Sequence, residues 1–275
     1  MRALLFPGQG SQAVGMGKEF FDNFDSVKKI FQEADEKLNF KISKIIIEGP
    51  SDDLKLTKNT QPAILIISYS IFKVLEKEIG INFDKLKFFA GHSLGEYSAL
   101  VCSQSLNFLD ALYLLRERGK SMQEAVPVGE GAMIAVLGST IDKINEIIKN
   151  IKFENGVCEI ANDNAVGQVI VSGDSKSIEL FQKSLKSENI KSIPLPVSAP
   201  FHCSLMKEAA NKMKEKILNT NFNTPKLKIV SNVKALPVSE PTSIKQMLYE
   251  QIYSKVRWRE SLIYMSENKV DTFIE

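Results

Sequence analysis

One stretch decides the fold: Lys87-Phe88-Phe89-Ala90-Gly91-His92-Ser93-Leu94-Gly95-Glu96. Its first four residues are typical of a short buried strand, and a helical pattern begins at Glu96. The motif between them fits G-x-S-x-G, in which a serine occupies a sharp turn from strand to helix. Such a turn exposes the serine Oγ near the N-terminus of the helix, where free N–H groups favour negative charge. The stretch therefore predicts an α/β fold with Ser93 as a candidate nucleophile.

Strands and helices also alternate before and after this stretch. Ala3–Phe6 is predicted to be a buried strand that ends at the turn residues Pro7-Gly8-Gln9-Gly10. The alternation predicts a parallel sheet with helices on both faces. The chain stops within Asp271–Glu275, which resembles the start of another element, so we expect the native protein to continue. The remaining predicted elements are helices at Asp22–Lys37, Gln61–Ile79, Phe108–Val126, Ser204–Leu218, Ile244–Tyr253 and Trp258–Ser266, and a strand at Leu227–Val233.

The middle of the chain has a different pattern, β-α-β-β-α-β, which is typical of a ferredoxin-like subdomain. Its second and third strands are predicted to be joined by a turn rich in Asn, Asp and Gly. We expect a large catalytic domain from residues 1–127 and 197–275, with residues 128–196 inserted as the small subdomain. The predicted elements of the insert are Gly131–Leu137, Ile141–Ile151, Val157–Ala161, Gln168–Ser172, Ser175–Leu185 and Lys191–Pro194.

Composition argues against several classes of function. The chain of 275 residues has 44% hydrophobic and 25% charged residues, which are ordinary globular values. Its 35 basic and 33 acidic groups leave a net charge of +2, so we expect no nucleic acid partner. The most apolar stretch, Ala63–Phe72, is far shorter than the roughly 20 residues that cross a bilayer, so no membrane is expected. Three widely spaced cysteines and only two histidines predict a cytoplasmic protein without a disulfide framework or metal site.

A serine hydroxyl needs a base to act as a nucleophile at neutral pH, and histidine is the usual one. His92 adjoins Ser93, and neighbouring side chains on such a turn point in different directions. His202 is therefore the candidate base by elimination, although a lone histidine beside proline and phenylalanine is more often a core residue. Cys203 is a rival nucleophile, but nothing around it resembles a thiol-activating motif.

Acyl transfer also needs N–H donors directed at the developing oxyanion. The main-chain N–H of Leu94, directly after the serine, supplies one donor in this type of turn. The glycine-rich loop Pro7-Gly8-Gln9-Gly10 is a candidate for the second donor, and an ordinary turn after a strand is the alternative.

Arg118 is predicted to lie on the inward face of its helix, in an apolar stripe with Leu115 and Met122, whereas Arg116 lies on the wetter side. A buried arginine should have an anionic partner. That partner is either a structural carboxylate or the carboxylate of a substrate.

Taken together, four segments resemble the malonyl-CoA:acyl-carrier-protein transacylases of type II fatty acid synthesis. They occur in the family's order and at similar spacings, and the likeness spans essentially the whole chain. The resemblance implies an α/β-hydrolase-like large domain with a parallel sheet and a ferredoxin-like insert. The segments are Phe6-Pro7-Gly8-Gln9-Gly10-Ser11-Gln12, Gly91-His92-Ser93-Leu94-Gly95-Glu96-Tyr97, Arg118-Gly119-Lys120-Ser121-Met122-Gln123 and Phe201-His202.

The resemblance implies a ping-pong transfer of the malonyl group from malonyl-CoA to the pantetheine thiol of acyl carrier protein, with no bound cofactor. Leu94 and Phe201 resemble the malonyl-selective branch of the family. The implied site consists of Ser93 as nucleophile, His202 as base, the main-chain N–H groups of Gln9 and Leu94 as oxyanion hole, Arg118 for the malonyl carboxylate, and the main-chain carbonyl of Gln251 to orient the histidine.

Acyl carrier proteins are acidic, so docking is expected to use basic residues near the mouth of the pocket. Lys255, Arg257 and Arg259 are the candidates, and an ordinary solvated helix face is the alternative for all three.

Three other functions stay open at this point. A serine esterase or thioesterase of related fold would use the same serine, but it would need no carboxylate-binding arginine. An acyltransferase of a polyketide pathway would share every motif. A binding module with an inactive site is the non-enzymatic alternative, and the intact set of Ser93, His202 and Arg118 argues against it.

Overall fold

A computed structural model of the protein describes residues 1–80, 83–197 and 199–275. The strands are β1 Arg2–Phe6, β2 Leu86–Gly91, β3 Gly131–Leu137, β4 Cys158–Ala165, β5 Gln168–Asp174, β6 Lys191–Pro194, β7 Lys228–Val230, β8 Pro237–Val238 and β9 Thr272–Ile274. The helices are α1 Lys18–Asn23, α2 Asp25–Leu38, α3 Ile42–Glu48, α4 Ser51–Lys55, α5 Thr57–Val74, α6 Gly95–Cys102, α7 Phe108–Glu124, α8 Ile141–Asn150, α9 Ser175–Ser187, α10 Lys207–Leu218, α11 Pro241–Gln251 and α12 Trp258–Glu267. Short helical turns lie at Leu75–Ile79, Phe83–Lys85 and Ser204–Met206.

The larger sheet has five strands in the order β8-β7-β2-β1-β9. All neighbours in it are parallel except β8, which runs antiparallel to β7. Strands β1 and β2 are therefore central, with Phe6 paired to Gly91 at their carboxyl ends. In an open parallel sheet this edge is where ligands bind. The predicted α/β fold with a parallel sheet is confirmed.

The smaller sheet has four antiparallel strands in the order β4-β5-β3-β6. Helices α8 and α9 share an apolar cluster with it, in which Ile144 and Phe181 pack with Val136 and Val171. The sequence of elements from β3 to β6 is β-α-β-β-α-β, as predicted for the insert.

Strand β4 is longer than predicted. The expected strand Val157–Ala161 continues to Ala165, so the amide residues that were assigned to a turn lie within the strand. The tight connection to β5 consists only of Val166 and Gly167. Pairing with β5 explains the difference, because Asp163 and Ala165 still pair with that strand although the register shifts on either side of Asp163. This extension carries Asn162 and Asn164 to the functional site.

Several helix boundaries also differ from the sequence prediction. The expected helix Asp22–Lys37 is two helices, because Phe24 adopts an extended backbone between α1 and α2. Helices α3 and α4 were not predicted. Helix α5 begins at Thr57 and includes Pro62, which has no N–H to donate within the helix.

Arg116 compensates for this proline. Its guanidinium donates to the carbonyl of Lys58 at 3.0 Å and also contacts the Asn59 side chain. Arg116, which is half-buried, therefore binds the first turn of α5. Helix α7 can approach α5 this closely because residue 119 is a glycine without a Cβ. A Cβ at this position would overlap the main chain of Thr57. Among the described residues, no helix has the length and apolarity required to cross a membrane.

Candidate active site

Ser93 lies on a sharp turn between β2 and α6, as the motif predicts. Its φ of 54° is in the left-handed region, where a residue with a side chain is strained. The flanking residues must be glycines because there is no room for a side chain at either position, and not because their backbone angles require glycine. A Cβ on Gly91 would overlap the main chain of Gly95, and a Cβ on Gly95 would overlap the carbonyl of Phe6 at the end of β1. The turn is therefore packed directly onto the end of the central strand.

Asn232, in the loop after β7, fixes this turn from the other side. Its Oδ1 accepts from the Ser93 N–H at 2.7 Å, and its Nδ2 donates to the carbonyl of Gly91 at 2.7 Å. Both main-chain groups would otherwise be buried without partners, which costs about 1–3 kcal/mol each. Asn232 could not be predicted from the sequence, because nothing near it in the chain marks a residue that contacts Ser93.

His202 meets the serine as predicted by elimination. Its Nε2 lies 2.8 Å from Ser93 Oγ, and its Nδ1 lies 2.8 Å from the main-chain carbonyl oxygen of Gln251. A carbonyl only accepts, so Nδ1 carries the ring proton and Nε2 offers its lone pair to the serine. Burial, followed by the nearby Arg118 guanidinium, lowers the pKa of His202 to about 3, so the ring is neutral near pH 7.

His92 and Cys203 are engaged elsewhere. The Nε2 of His92 lies 2.9 Å from Asn164 Oδ1, and its ring packs edge-on against Trp258. The Sγ of Cys203 donates to the carbonyl of Pro200 at 3.1 Å, and burial raises the pKa of this thiol to about 11. A thiol with so high a pKa is a poor nucleophile.

Arg118 is fully buried, at 0% exposure, and its guanidinium reaches the nucleophile. One terminal nitrogen donates to Ser93 Oγ at 3.1 Å and to Gln251 Oε1 at 2.9 Å, and the other donates to Gln61 Oε1 at 2.8 Å. Its Nε has no hydrogen-bond partner within the described residues. All these acceptors are neutral, so the expected structural carboxylate is not in direct contact with Arg118. A guanidinium in this state is well suited to bind an anionic group.

Gln9 and Leu94 line the same cavity as the serine. Neither main-chain N–H donates to another residue in the part of the chain that the structure describes. The loop that carries Gln9 lies against the turn, because a Cβ on Gly8 would be 2.9 Å from both Nδ1 and the carbonyl oxygen of His92. Two free N–H groups near a nucleophile can stabilise an oxyanion.

Gln251, the last residue of α11, contacts three parts of the site. Besides holding His202 through its main chain, it donates from Nε2 to the Ser93 carbonyl at 2.9 Å and to Glu96 Oε2 at 2.7 Å. Its Oε1 accepts from Arg118. Sequence analysis found only the main-chain contact, through the resemblance, and it did not find Gln61 or Glu96.

The cavity above Ser93 has a volume of about 250 Å³ and lies between the two sheets. The large sheet and its helices supply the reactive groups, and the small sheet supplies a second wall. Its apolar lining includes Met122, Met133, Ile170, Leu195, Val197 and Phe201, and Asn162 and Asn164 of β4 add amides. The described part of the chain contains no group of three or more His, Cys, Asp and Glu side chains that could hold a metal ion.

Comparison with known proteins agrees with this fold. The family model of the acyl transferase domain matches residues 3–275. The malonyl CoA-acyl carrier protein transacylase of Bacillus subtilis strain 168 is 45% identical over 274 residues, which cover 99% of this chain and 85% of that protein. The protein is therefore an acyl transferase.

Solved structures give the same result. The acyl-carrier-protein S-malonyltransferase of Bartonella henselae superposes with a TM-score of 0.95 at 43% identity, over 99% of this chain and 87% of that one. A malonyl-transacylase solved in complex with its type II polyketide synthase acyl-carrier protein has a TM-score of 0.95 at 36% identity, over 100% and 88% of the two chains. The chain belongs to the malonyl CoA-acyl carrier protein transacylase family.

Proposed function

We propose that the protein transfers the malonyl group of malonyl-CoA to the pantetheine thiol of acyl carrier protein, through a malonyl ester of Ser93, and so supplies fatty acid elongation. One observation carries this proposal. Ser93 Oγ lies 2.8 Å from a neutral histidine nitrogen and 3.1 Å from a buried guanidinium nitrogen. A nucleophile, a base and a cation for a carboxylate thus meet at one oxygen atom. The choice of malonyl-CoA as donor and acyl carrier protein as acceptor is supported by the names of the relatives given above.

In the first half-reaction, Ser93 Oγ gives its proton to His202 Nε2 and attacks the thioester carbonyl carbon of malonyl-CoA. The carbonyl oxygen becomes an oxyanion, which accepts hydrogen bonds from the main-chain N–H groups of Gln9 and Leu94. When the intermediate collapses, the carbon–sulfur bond breaks. Coenzyme A leaves with the proton that His202 held, and the malonyl group remains on the serine as an ester.

The second half-reaction reverses these steps. The pantetheine thiol gives its proton to His202 and attacks the ester carbonyl carbon through sulfur. Collapse breaks the bond to Ser93 Oγ, which takes the proton back. Throughout, the Gln251 carbonyl keeps the proton on Nδ1 and stabilises the imidazolium when Nε2 is protonated.

Arg118 affects both binding and the base. Its positive charge is one cause of the depressed pKa of His202. A malonyl carboxylate beside the guanidinium opposes that charge, so it raises the basicity of His202 as well as filling the site. An acetyl group has no carboxylate and leaves the histidine a weaker base. Selection for malonate is therefore expected in the chemical step as well as in binding.

Two alternatives are weighed against this proposal. An esterase or thioesterase would need no buried arginine beside its serine, and it would usually orient its histidine with an acidic side chain rather than with a carbonyl. The likeness to a malonyl-transacylase of a polyketide system favours a second candidate, the same reaction with a carrier protein of that pathway. Transfer rates to carrier proteins of the two kinds separate these candidates.

The proposal extends to domain organisation and location. We propose residues 1–127 and 197–275 as the large catalytic domain and residues 128–196 as the small subdomain. The smaller sheet, which lies wholly between Gly131 and Pro194, supports this division. A cytoplasmic location is proposed as well, and the three free, buried cysteines are consistent with it.

Intact-mass measurement after mixing with malonyl-CoA tests the proposal directly. The wild-type protein should gain one malonyl group, and Ser93→Ala should gain none while keeping its circular dichroism spectrum. Cys203→Ala serves as the control and should gain the group like wild type. An adduct of undiminished yield on Ser93→Ala would show that another residue is the nucleophile.

A further inference from the structure

Glu96 is a buried carboxylate that the reaction described above does not use. It is the second residue of α6 and is only 1% exposed. Its Oε2 accepts from Gln251 Nε2 at 2.7 Å and from the Asn232 N–H at 3.2 Å. Burying a carboxylate is costly unless hydrogen bonds compensate. A carboxylate kept so close to the nucleophile, yet not touching it, therefore needs an explanation.

The contacts of Gln251 supply one. Its Nε2 carries two hydrogens, which go to the Ser93 carbonyl and to Glu96, and both of these groups are acceptors. Its Oε1 faces a guanidinium nitrogen of Arg118, which only donates. Turning the amide by half a rotation would set oxygen against two oxygens and an NH₂ group against the guanidinium. Only one orientation of this amide is compatible with its neighbours, and Glu96 is its charged partner.

Gln251 contacts both catalytic groups, the guanidinium of Arg118 through its side chain and His202 through its main-chain carbonyl. Glu96 is also connected to the turn that carries the nucleophile, because the Asn232 residue that it binds holds the Ser93 N–H.

We propose that Glu96 is a positioning residue, which fixes the amide of Gln251 so that Arg118 is held ready for the carboxylate of the acyl group. This inference rests on the proposed function, because it assigns a role within the same site. It concerns the selection of malonyl over acetyl groups, and Glu96 takes no part in proton transfer.

The titration of Glu96 offers a measurement beyond activity. The ionisable groups that face it are Arg118 from α7 and Tyr97 on its own helix, with His202 reached through Gln251. Burial is the main cause that raises the pKa of Glu96 to about 7, whereas the pKa of His202 is lowered to about 3. As the pH falls through about 7, Glu96 takes up a proton and becomes a weaker acceptor for the Gln251 amide, while His202 does not change its charge.

The test compares the rates of acyl-enzyme formation from malonyl-CoA and acetyl-CoA, expressed as the ratio of the two kcat/KM values. The two donors share the same leaving group, so effects on its departure cancel in the ratio. Above pH 7, replacing the charged acceptor with a neutral amide oxygen predicts that Glu96→Gln lowers the ratio by about tenfold. Ser98→Ala is the matched control, because it removes from the same helix a buried hydroxyl that has no hydrogen-bond partner among the described residues, and it should leave the ratio unchanged.

Two further arms complete the test. In an Arg118→Ala background, Glu96→Gln should not change the ratio, because the group that it positions is absent. The wild-type ratio should fall as the pH drops through about 7, and it should be independent of pH in Glu96→Gln. If Glu96→Gln does not fold, the pH dependence of the wild-type ratio still tests the inference.

The outcomes separate this inference from the proposed function. An unchanged ratio in folded Glu96→Gln, or a flat wild-type pH profile, overturns the positioning role. A ratio that rises also overturns it, because the carboxylate would then merely repel the substrate anion. Absence of any malonyl adduct on the wild-type protein would instead overturn the proposed function itself.

Discussion

Replacing Arg118 with alanine should reduce the selectivity for malonyl over acetyl groups, because malonyl transfer should slow much more than acetyl transfer. The malonyl carboxylate would lose a charge-assisted hydrogen bond, which is worth about 1.5–3 kcal/mol. At about 1.4 kcal/mol for each factor of ten, malonyl transfer should slow by about tenfold to a hundredfold from this cause alone.

Acetyl transfer should lose much less. In the wild-type protein the guanidinium keeps its hydrogen bonds to Gln61, Ser93 and Gln251, so a neutral acyl group does not leave it without partners. Removing the cation also relieves one cause of the low pKa of His202. This helps the acetyl donor in particular, because a malonyl carboxylate already offsets the charge of Arg118 in the wild-type site. The ratio of kcat/KM for malonyl-CoA over acetyl-CoA should thus fall by about tenfold to a hundredfold.

The assay measures this ratio in wild type, in Arg118→Ala and in Arg116→Ala. Arg116 is the matched control, since it lies on the same helix and binds the Lys58 carbonyl outside the cavity. Its loss should affect stability and leave the ratio unchanged. A fraction of inactive protein cancels in a ratio, so partial misfolding does not disturb the comparison. If both rates fell equally in Arg118→Ala, Arg118 would be structural, and the esterase interpretation would be favoured.

Three other predictions concern stability and docking. The pKa of His202 is about 3 in the folded protein against a usual 6.5, so the stability that the neutral His202 contributes should be fully present above pH 6.5 and be lost as the pH falls towards 3. His202→Gln should therefore lose less stability than wild type in urea titrations over that range, and parallel losses would contradict the shift. Arg259 binds the buried Asp163 carboxylate at 2.8 and 2.9 Å, so Arg259→Glu should reduce stability by up to about 3 kcal/mol. Lys255→Glu should instead raise KM for the carrier protein alone, and a joint rise of KM for malonyl-CoA would exclude it from the docking surface.

Ser93 and His202 could be predicted from the sequence, the first because a local motif marks it and the second because the chain offers few candidates. The turn around Ser93 is determined by neighbours in the chain, since the glycines on either side leave space for β1 and α6. His202 was found by counting, because the chain offers only two histidines and one of them adjoins the serine. The inward position of Arg118 follows from helical spacing, and its 0% exposure confirms that prediction.

The supporting amides could not be predicted in this way. Gln61, Asn232 and Gln251 come from three separate parts of the chain, and a glutamine or asparagine near a site has no local pattern that distinguishes it from one at the surface. The amides of β4 were missed for a different reason. Asn and Asp favour turns in general, but cross-strand pairing with β5 overrides that preference here.

The buried guanidinium of Arg118 explains why the site contains amide side chains that no local sequence pattern predicts. The hydrogen bonds of Arg118 all end on neutral oxygens in the part of the chain that the structure describes. A direct ion pair would compete with an incoming carboxylate, whereas amide oxygens hold the guanidinium in place and leave its charge available. Glu96, the carboxylate in this network, is separated from it by the Gln251 amide. Burying a cation in this way requires several neutral acceptors at set positions, so an inward arginine predicts that such amides exist, and only the fold determines which residues provide them.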